Sequence, residues 1–421
     1  MNNRARSTVF GAIIMTVFSI GSYTSIPVYI VPLMQKLEVG AGQIALLFTF
    51  AAVGSLVSSL FMGTLVKKFS IKALAILGGL LLGGFFIVLG LANSISVIYA
   101  VAVLFGFSTI VAGFPTAQTE INWWYAKGTG KLIGYLSTAV GVGGMIFPIL
   151  MAKLIEVFGL NIAAVCHGLV VGGIIIIIGL FVLSEQPHKY SLKPVGYEED
   201  KELNNNTNTT DKPKAGFSVK QIASTPQFWM IVISIILIST ASTGFNNNAS
   251  ALYQSKGIDA VQAALLISVM SGANFIAAPL YGALMDKIGY LKATTLFGLV
   301  VAGIFFGSIV LSGFTGGIII AALMSFKTFN SMMGPITLPK LFGRNEAASL
   351  VGFTAAAQSV GAMIGAPIAG FIFDVTGTYN AYMIAGGVLT IITVLLVIIG
   401  SGDKAVASIK SKQERLNKEA V

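Results

Sequence analysis

The chain predicts an all-α membrane protein whose twelve transmembrane helices form two pseudo-symmetric six-helix bundles. Three observations carry that expectation. Hydrophobic residues make up 55% of the 421 and charged residues only 10%, a balance that a water-facing surface could not hold without aggregating. Twelve apolar runs long enough to span a bilayer follow one another, most of them separated by short polar turns. Segments of the two halves also match each other at nearly one spacing, about 219 residues.

In the first half the runs are 8–34, 43–66, 73–93, 95–119, 131–155 and 160–183. In the second they are 228–253, 261–285, 293–313, 316–338, 347–373 and 380–400. A helix needs ~20 residues at ~1.5 Å each to cross ~30 Å of hydrocarbon, and every run supplies them. The runs are continuous rather than alternating, so helices are expected and not the strands of an outer-membrane barrel. The first run is too long for a signal-peptide core and lacks a small-residue cleavage pattern, so it is read as the first helix.

The one long polar interruption, Ser184 to Gln227, contains the low-complexity run Asn204 to Thr210 and reads as a flexible cytoplasmic linker. It divides the chain into an N-terminal bundle (1–183), the linker (184–227), a C-terminal bundle (228–402) and a basic tail (403–421). The duplication is visible in three places. Gly63 to Lys72 after the second run matches Gly282 to Lys292 after the eighth. The fifth and eleventh runs align from Gly134-Tyr135 to Pro148 and from Gly352-Phe353 to Pro367. They end in Glu156-Val-Phe-Gly159 and Asp374-Val-Thr-Gly377.

A net charge of +10 would suit nucleic-acid binding on a soluble surface, but here the basic residues are sorted by loop. With the N-terminus inside, one side holds Arg4 and Arg6, Lys67, Lys68 and Lys72, Lys127 and Lys131, and six lysines from Lys189 to Lys220. It also holds Lys287 and Lys292, Lys340 and Arg344, and the five basic residues of the tail. Only Lys36, Lys153 and Lys256 fall on the other side, and Lys327 lies inside a run. This positive-inside bias predicts a multi-pass protein of the cytoplasmic membrane with both termini in the cytoplasm. The single cysteine, Cys166, can build neither a disulfide nor a metal cluster. No nucleotide-binding motif is present, so no cofactor is expected, and any transport would draw on a gradient.

The motif Gly-x-x-x-Asp-(Arg/Lys)-x-Gly is intact at Gly282, Asp286, Lys287 and Gly289, and degraded in the first half, where Lys67 and Ser70 stand at the aspartate and second-glycine positions. On these residues and the internal repeat the whole chain resembles the major facilitator superfamily. The resemblance implies that Gly282, Asp286, Lys287 and Gly289 support cytoplasmic gating, with Asp286 and Lys287 as an inter-helix charge lock. It also implies that the first, fourth, seventh and tenth helices surround a central cavity, while the third, sixth, ninth and twelfth lie outside. A narrower resemblance, to the oxalate/formate antiporter and monocarboxylate transporter branch, rests on Tyr23 through Pro32-Leu33, on Thr225-Pro226-Gln227-Phe228-Trp229, and on Asn274, Gly282 and Asp286. That branch carries an anion-binding arginine four residues before the eighth-span glycine, where this chain has Ala278. The eleventh span also lacks the branch's basic residue, and Thr354 to Gly365 offers only Gln358 and Ser359.

Lys327 is the one formal charge near the middle of any span. Facing lipid it would cost at least ~2.5–3.5 kcal/mol, so it is expected to face a cavity or a partner. Along the tenth span, Lys327, Asn330, Ser331 and Gly334 follow i, i+3, i+4 and i+7, and Ser239, Thr243, Asn246, Asn247 and Ser250 form a second polar stripe on the seventh. Of the successive amides Asn246, Asn247 and Asn248, one or two are expected to meet substrate and the third to bond a neighbouring helix. Gly244 before them would permit local unwinding. Ser271 and Asn274 on the eighth span, and Tyr23 and Tyr29 on the first, complete the main candidates, with Tyr135, Gln118 and Gln358 behind them. Trp123 and Trp124 read as interface anchors, His167 as a packed histidine of a peripheral helix, and Glu120 as the partner of Lys127 or Lys131.

The expected function is secondary transport of a small or amphipathic organic anion, a monocarboxylate first, by alternating access. Lys327 would attract the carboxylate, and the cycle would be antiport against a counter-anion or proton symport. The alternative is an exporter of neutral or cationic compounds with Lys327 structural. The chain is read as a monomer among membrane lipids, with no nucleic-acid partner and no enzymatic site.

Overall fold

A computed structural model describes residues 3–126, 129–196, 219–342, 347–409 and 411. Lys127, Arg344, the run 204–210 and most of the basic tail lie outside the described residues. Before the linker the chain forms α1 (Asn3–Leu37), α2 (Ala41–Lys68), α3 (Ile71–Leu91), α4 (Ile95–Val111), α5 (Phe114–Trp124) and α6 (Thr129–Ile177). After it come α7 (Val219–Ala223), α8 (Pro226–Ser255), α9 (Ala260–Ile288), α10 (Tyr290–Val310), α11 (Gly313–Met324), α12 (Phe329–Phe342), α13 (Ala347–Thr376) and α14 (Asn380–Ser401).

Eleven helical stretches among the described residues are long and apolar enough to cross a bilayer. One of them, Leu132–Val182, has 51 residues, about 76 Å of helix at ~1.5 Å per residue and far more than one crossing needs. It turns back at Gly159, whose φ of 77° and ψ of 165° belong to a region that only glycine enters freely, so it supplies two crossings and the described residues hold twelve.

The chain divides into two compact units. The first is Met1–Thr209 with Ala249–Gln254 and Ile258–Gly272; the second is Thr210–Asn248 with Ser255–Gly257 and Ala273–Val421.

In the first unit, α3 meets the second half of α6 through facing glycines. A Cβ on Gly83 would stand 2.6 Å from the Gly168 carbonyl, and one on Gly172 would stand 2.9 Å from that of Gly79. Small residues four apart let the two backbones touch, which drives helix association where lipid offers no hydrophobic contrast. The fourth crossing, continuous in the sequence reading, is broken: α4 stops at Val111, and α5 restarts after Gly113 with proline in its first turn.

Residues 184–196, assigned to a flexible linker from their polarity, are folded against this unit. Val195 pairs with Tyr125 as a parallel bridge, its N–H donating to the Trp124 carbonyl at 2.8 Å and its carbonyl accepting from Ala126 at 2.9 Å. Tyr190 lies tilted against Trp124, with centroids 6.3 Å apart, and carries the Arg4 guanidinium 4.2 Å above its ring. Trp124 is therefore fully buried, and the interface-anchor reading is corrected for it, because the folded segment covers the indole.

In the second unit, α8 and α13 are in backbone contact. A Cβ on Gly244 would stand 2.5 Å from the Gly365 carbonyl, and the Tyr382 hydroxyl also reaches that point while donating to the carbonyls of Ala241 (2.7 Å) and Thr240 (3.1 Å). Gly244 thus serves close packing inside a continuous α8, where local unwinding was expected. The tenth crossing changes its winding: between α11 and α12 the residues Ser325–Thr328 form one tighter 3₁₀ turn.

Candidate functional site

Lys327 sits on that 3₁₀ turn. A short 3₁₀ stretch inside a longer helix resets the register of the side chains that follow, and such stretches recur at functional hinges. The reset splits the polar stripe. Ser331 is exposed and donates to the Thr328 carbonyl, while Gly334 is buried against Thr354. Lys327 and Asn330 remain with the polar face of α8.

The Lys327 ammonium donates to Asn246 Oδ1 and lies 5.9 Å from the centre of the Phe245 ring, within reach of a cation–π attraction. Asn330 bonds Ser239, Nδ2 to Oγ at 2.9 Å, and Gln358 of α13 donates to the Asn330 main-chain carbonyl at 3.2 Å. Four elements thus converge on one polar group set: α8 (Ser239, Asn246), the 3₁₀ turn (Lys327), α12 (Asn330) and α13 (Gln358). Lys327, Asn246, Asn330 and Gln358 are each half-buried, so none is wholly enclosed by protein. Among the amides, Asn247 is buried, and Asn248 bonds the neighbouring helix, donating to Ala366 and to Gly244 at 3.0 Å each. Asn274 is half-buried on α9 in this unit.

The remaining candidates lie in the first unit. Tyr23 is half-buried, its ring parallel to Phe105 at 6.2 Å. Tyr29 is fully buried and bonds His167 Nδ1 at 2.9 Å, while His167 Nε2 meets Ser22 Oγ at 3.0 Å. Ser22 donates its own proton to the Phe18 carbonyl (2.7 Å), so Nε2–H is the donor to Ser22, and Nδ1 accepts from Tyr29. With Phe86 stacked at 3.9 Å, the imidazole ties α1 to α3 and α6, a set of partners that sequence could not supply. Ser271 donates to the Ile267 carbonyl, Tyr135 is exposed, and Gln118 is half-buried on α5. Glu120 was read as a helix-end partner of lysines. It is fully buried, and among the described residues neither of its oxygens has a hydrogen-bond partner; Lys127 and the Lys131 side chain lie outside what is described.

At the loop motif, Gly289 has φ 86° and ψ 153° and begins α10, which explains why the motif demands glycine there. Its first-half counterpart, Ser70, takes an ordinary extended conformation and caps α3 by accepting from the Ala73 amide at 3.1 Å. Gly282 has open space around it, and Asp286 and Lys287 are exposed with no ion pair among the described residues.

The sequence model of the Major Facilitator Superfamily matches residues 11–339. The chain is 24% identical over 291 residues to the uncharacterized MFS-type transporter YhjX of Escherichia coli (strain K12), covering 69% of this chain and 68% of that one. It is 24% identical over 300 residues to the oxalate:formate antiporter of Oxalobacter formigenes, covering 71% and 68%. The membrane sensor protein UhpC of Salmonella typhimurium matches at 25% over 201 residues, 45% of this chain and 44% of that protein. Among solved structures, the nucleoside transporter NupG superposes with a TM-score of 0.70 at 11% identity, covering 95% of this chain and 99% of the other. A bacterial homologue of the lysosomal transporter Spinster superposes with 0.68 at 15% identity, covering 98% and 99%.

Proposed function

The chain belongs to the major facilitator superfamily, and from that premise we propose that this transporter carries a small or amphipathic organic anion, a monocarboxylate first, by alternating access of its two halves. The observation that carries the reading is Lys327. An ammonium stands on a 3₁₀ turn of a membrane crossing, held by an amide and an aromatic face. The sequences of α8, α11 and α12 contain no acidic residue, and the single ones of α9 and α13, Asp286 and Asp374, stand near helix ends. A substrate carboxylate is an anion that such an ammonium can bind. Lys327 attracts it, Asn246 and Asn330 orient it, and Gln358 and Ser239 hold Asn330; Asn247 and Asn274 are secondary candidates.

Exchange against a counter-anion is the cycle we favour, since one relative is named as an oxalate:formate antiporter; proton symport is the other outcome of the test. Both termini are assigned to the cytoplasm from the distribution of basic residues. The test is uptake into proteoliposomes of labelled formate, acetate, lactate, pyruvate and oxalate, with and without internal counter-anion, by wild type, Lys327→Ala and Lys327→Arg. The reading expects saturable carboxylate uptake that Lys327→Ala abolishes and Lys327→Arg partly keeps. Uptake of neutral or cationic solutes alone, unaffected by Lys327→Ala, would favour an exporter with a structural lysine.

A further inference from the structure

Two lysines that break the positive-inside pattern make the same contact in the two units. Lys36, in the last turn of α1, donates to the Gly90 carbonyl at 2.6 Å, in the last turn of α3. Lys256, directly after α8, donates to the carbonyls of Ser308 and, at 3.1 Å, Leu311, at the end of α10. The last carbonyls of a helix lack intrahelical partners and carry the negative end of its dipole, so an ammonium there answers both. The two lysines are 220 residues apart in sequence, and their acceptors are separated by nearly the same interval, matching the spacing of the internal repeat. Both are half-buried, and burial lowers the Lys256 ammonium below the ordinary lysine range.

The opposite end of α3 is answered as well. The Glu185 carboxylate, after the sixth crossing, accepts from the amides of Ile71 and Lys72 at 3.4 and 3.5 Å. Asp403, after the twelfth crossing, lies within electrostatic range of Tyr290, which opens α10.

We infer that Lys36 and Lys256 are equivalent outer-face clasps, each fixing the end of the first helix of its repeat to the end of the third. Lys256 is then the tether by which α10 positions the end of α8, the helix that carries Asn246. In this role it is a positioning residue that never touches substrate. The inference does not depend on which solute is carried.

The test is spin-label distance measurement in full-length protein bearing Cys166→Ser. One label pair, Ser255→Cys with Ser312→Cys, reports the Lys256 clasp; a second, Gln35→Cys with Asn93→Cys, reports the Lys36 clasp; all four positions are exposed. Each pair is expected to give one narrow distance peak. Lys256→Met should abolish the narrow peak of its own pair only, Lys36→Met that of the other pair only, and Lys→Arg at either position should restore it. Lys256→Gln, which keeps a donor, replaces Lys256→Met if the latter does not fold. Where labelled formate is exchanged, Lys256→Met should lower kcat severalfold with KM unchanged. Unchanged distance distributions in both Met variants, or failure of arginine to restore them, would overturn the clasps even if Lys327 binds anions as proposed.

Discussion

Replacing Asn246 by aspartate puts a carboxylate where the Lys327 ammonium now finds an amide oxygen, with almost no change of shape. The new carboxylate would hold the ammonium as an ion pair and so compete with an incoming carboxylate. Two unit charges ~4 Å apart attract by about 4 kcal/mol at an effective dielectric of ~20. The half-exposed site allows some screening, so about 2–4 kcal/mol of anion affinity should be lost, roughly a 30- to 700-fold weaker Kd at 1.4 kcal/mol per tenfold. Asn246→Ala is the control: it removes one hydrogen bond to a charged group and should cost only ~1.5–3 kcal/mol, with no competing charge. The assay is competition of unlabelled carboxylates against labelled formate on purified protein. Asn246→Asp should also lose less affinity for a neutral solute than for an anion. If Asn246→Asp bound carboxylates as tightly as wild type, Lys327 would not be the anion-binding group.

Other substitutions probe the supports. Gln358→Leu removes the donor to the Asn330 carbonyl and should cost ~1 kcal/mol of thermal stability, while weakening carboxylate affinity severalfold; a stability loss with unchanged affinity would count against its positioning role. Tyr29→Phe leaves His167 Nδ1 without its donor and should destabilise the first unit by ~1–3 kcal/mol, read as a lower melting temperature in detergent, while His167→Phe removes both needs and should cost less. Gly289→Ala forces a side chain into a conformation worth ~1–3 kcal/mol of strain and should lower stability, whereas Ser70→Ala should lose only the ~1 kcal/mol of a helix cap; equal costs would refute the account of the degraded motif.

Much of the fold was legible because apolar length is a coarse, local signal. The crossings follow from hydropathy, and the reversal at Gly159 and the start of α10 at Gly289 fall on glycines that the repeat and the loop motif single out. Ser70 shows how the motif can degrade without harm, since a serine cap replaces a glycine turn. What hydropathy could not report was helix continuity. Gly113-Phe114-Pro115 stands within a continuous apolar run and Ser325–Thr328 holds the lysine itself, yet neither pattern said that the helix would change its winding or restart there. Lys327 was legible because a charge in an apolar run is rare, but its partners were not. Asn246 comes from a helix 81 residues away, and only folding decides which of three consecutive amides faces the ammonium. The same holds for Tyr29 and His167, and for residues 184–196, whose polarity hides an ordered contact with Tyr125 and Trp124.

Equilibrium binding of labelled formate and oxalate to purified wild type and Lys327→Gln, measured across a salt series, tests the central claim most directly. The account predicts saturable binding by wild type that weakens as chloride competes, and loss of at least tenfold in affinity in Lys327→Gln with the fold intact. Identical affinities in the two proteins would contradict it.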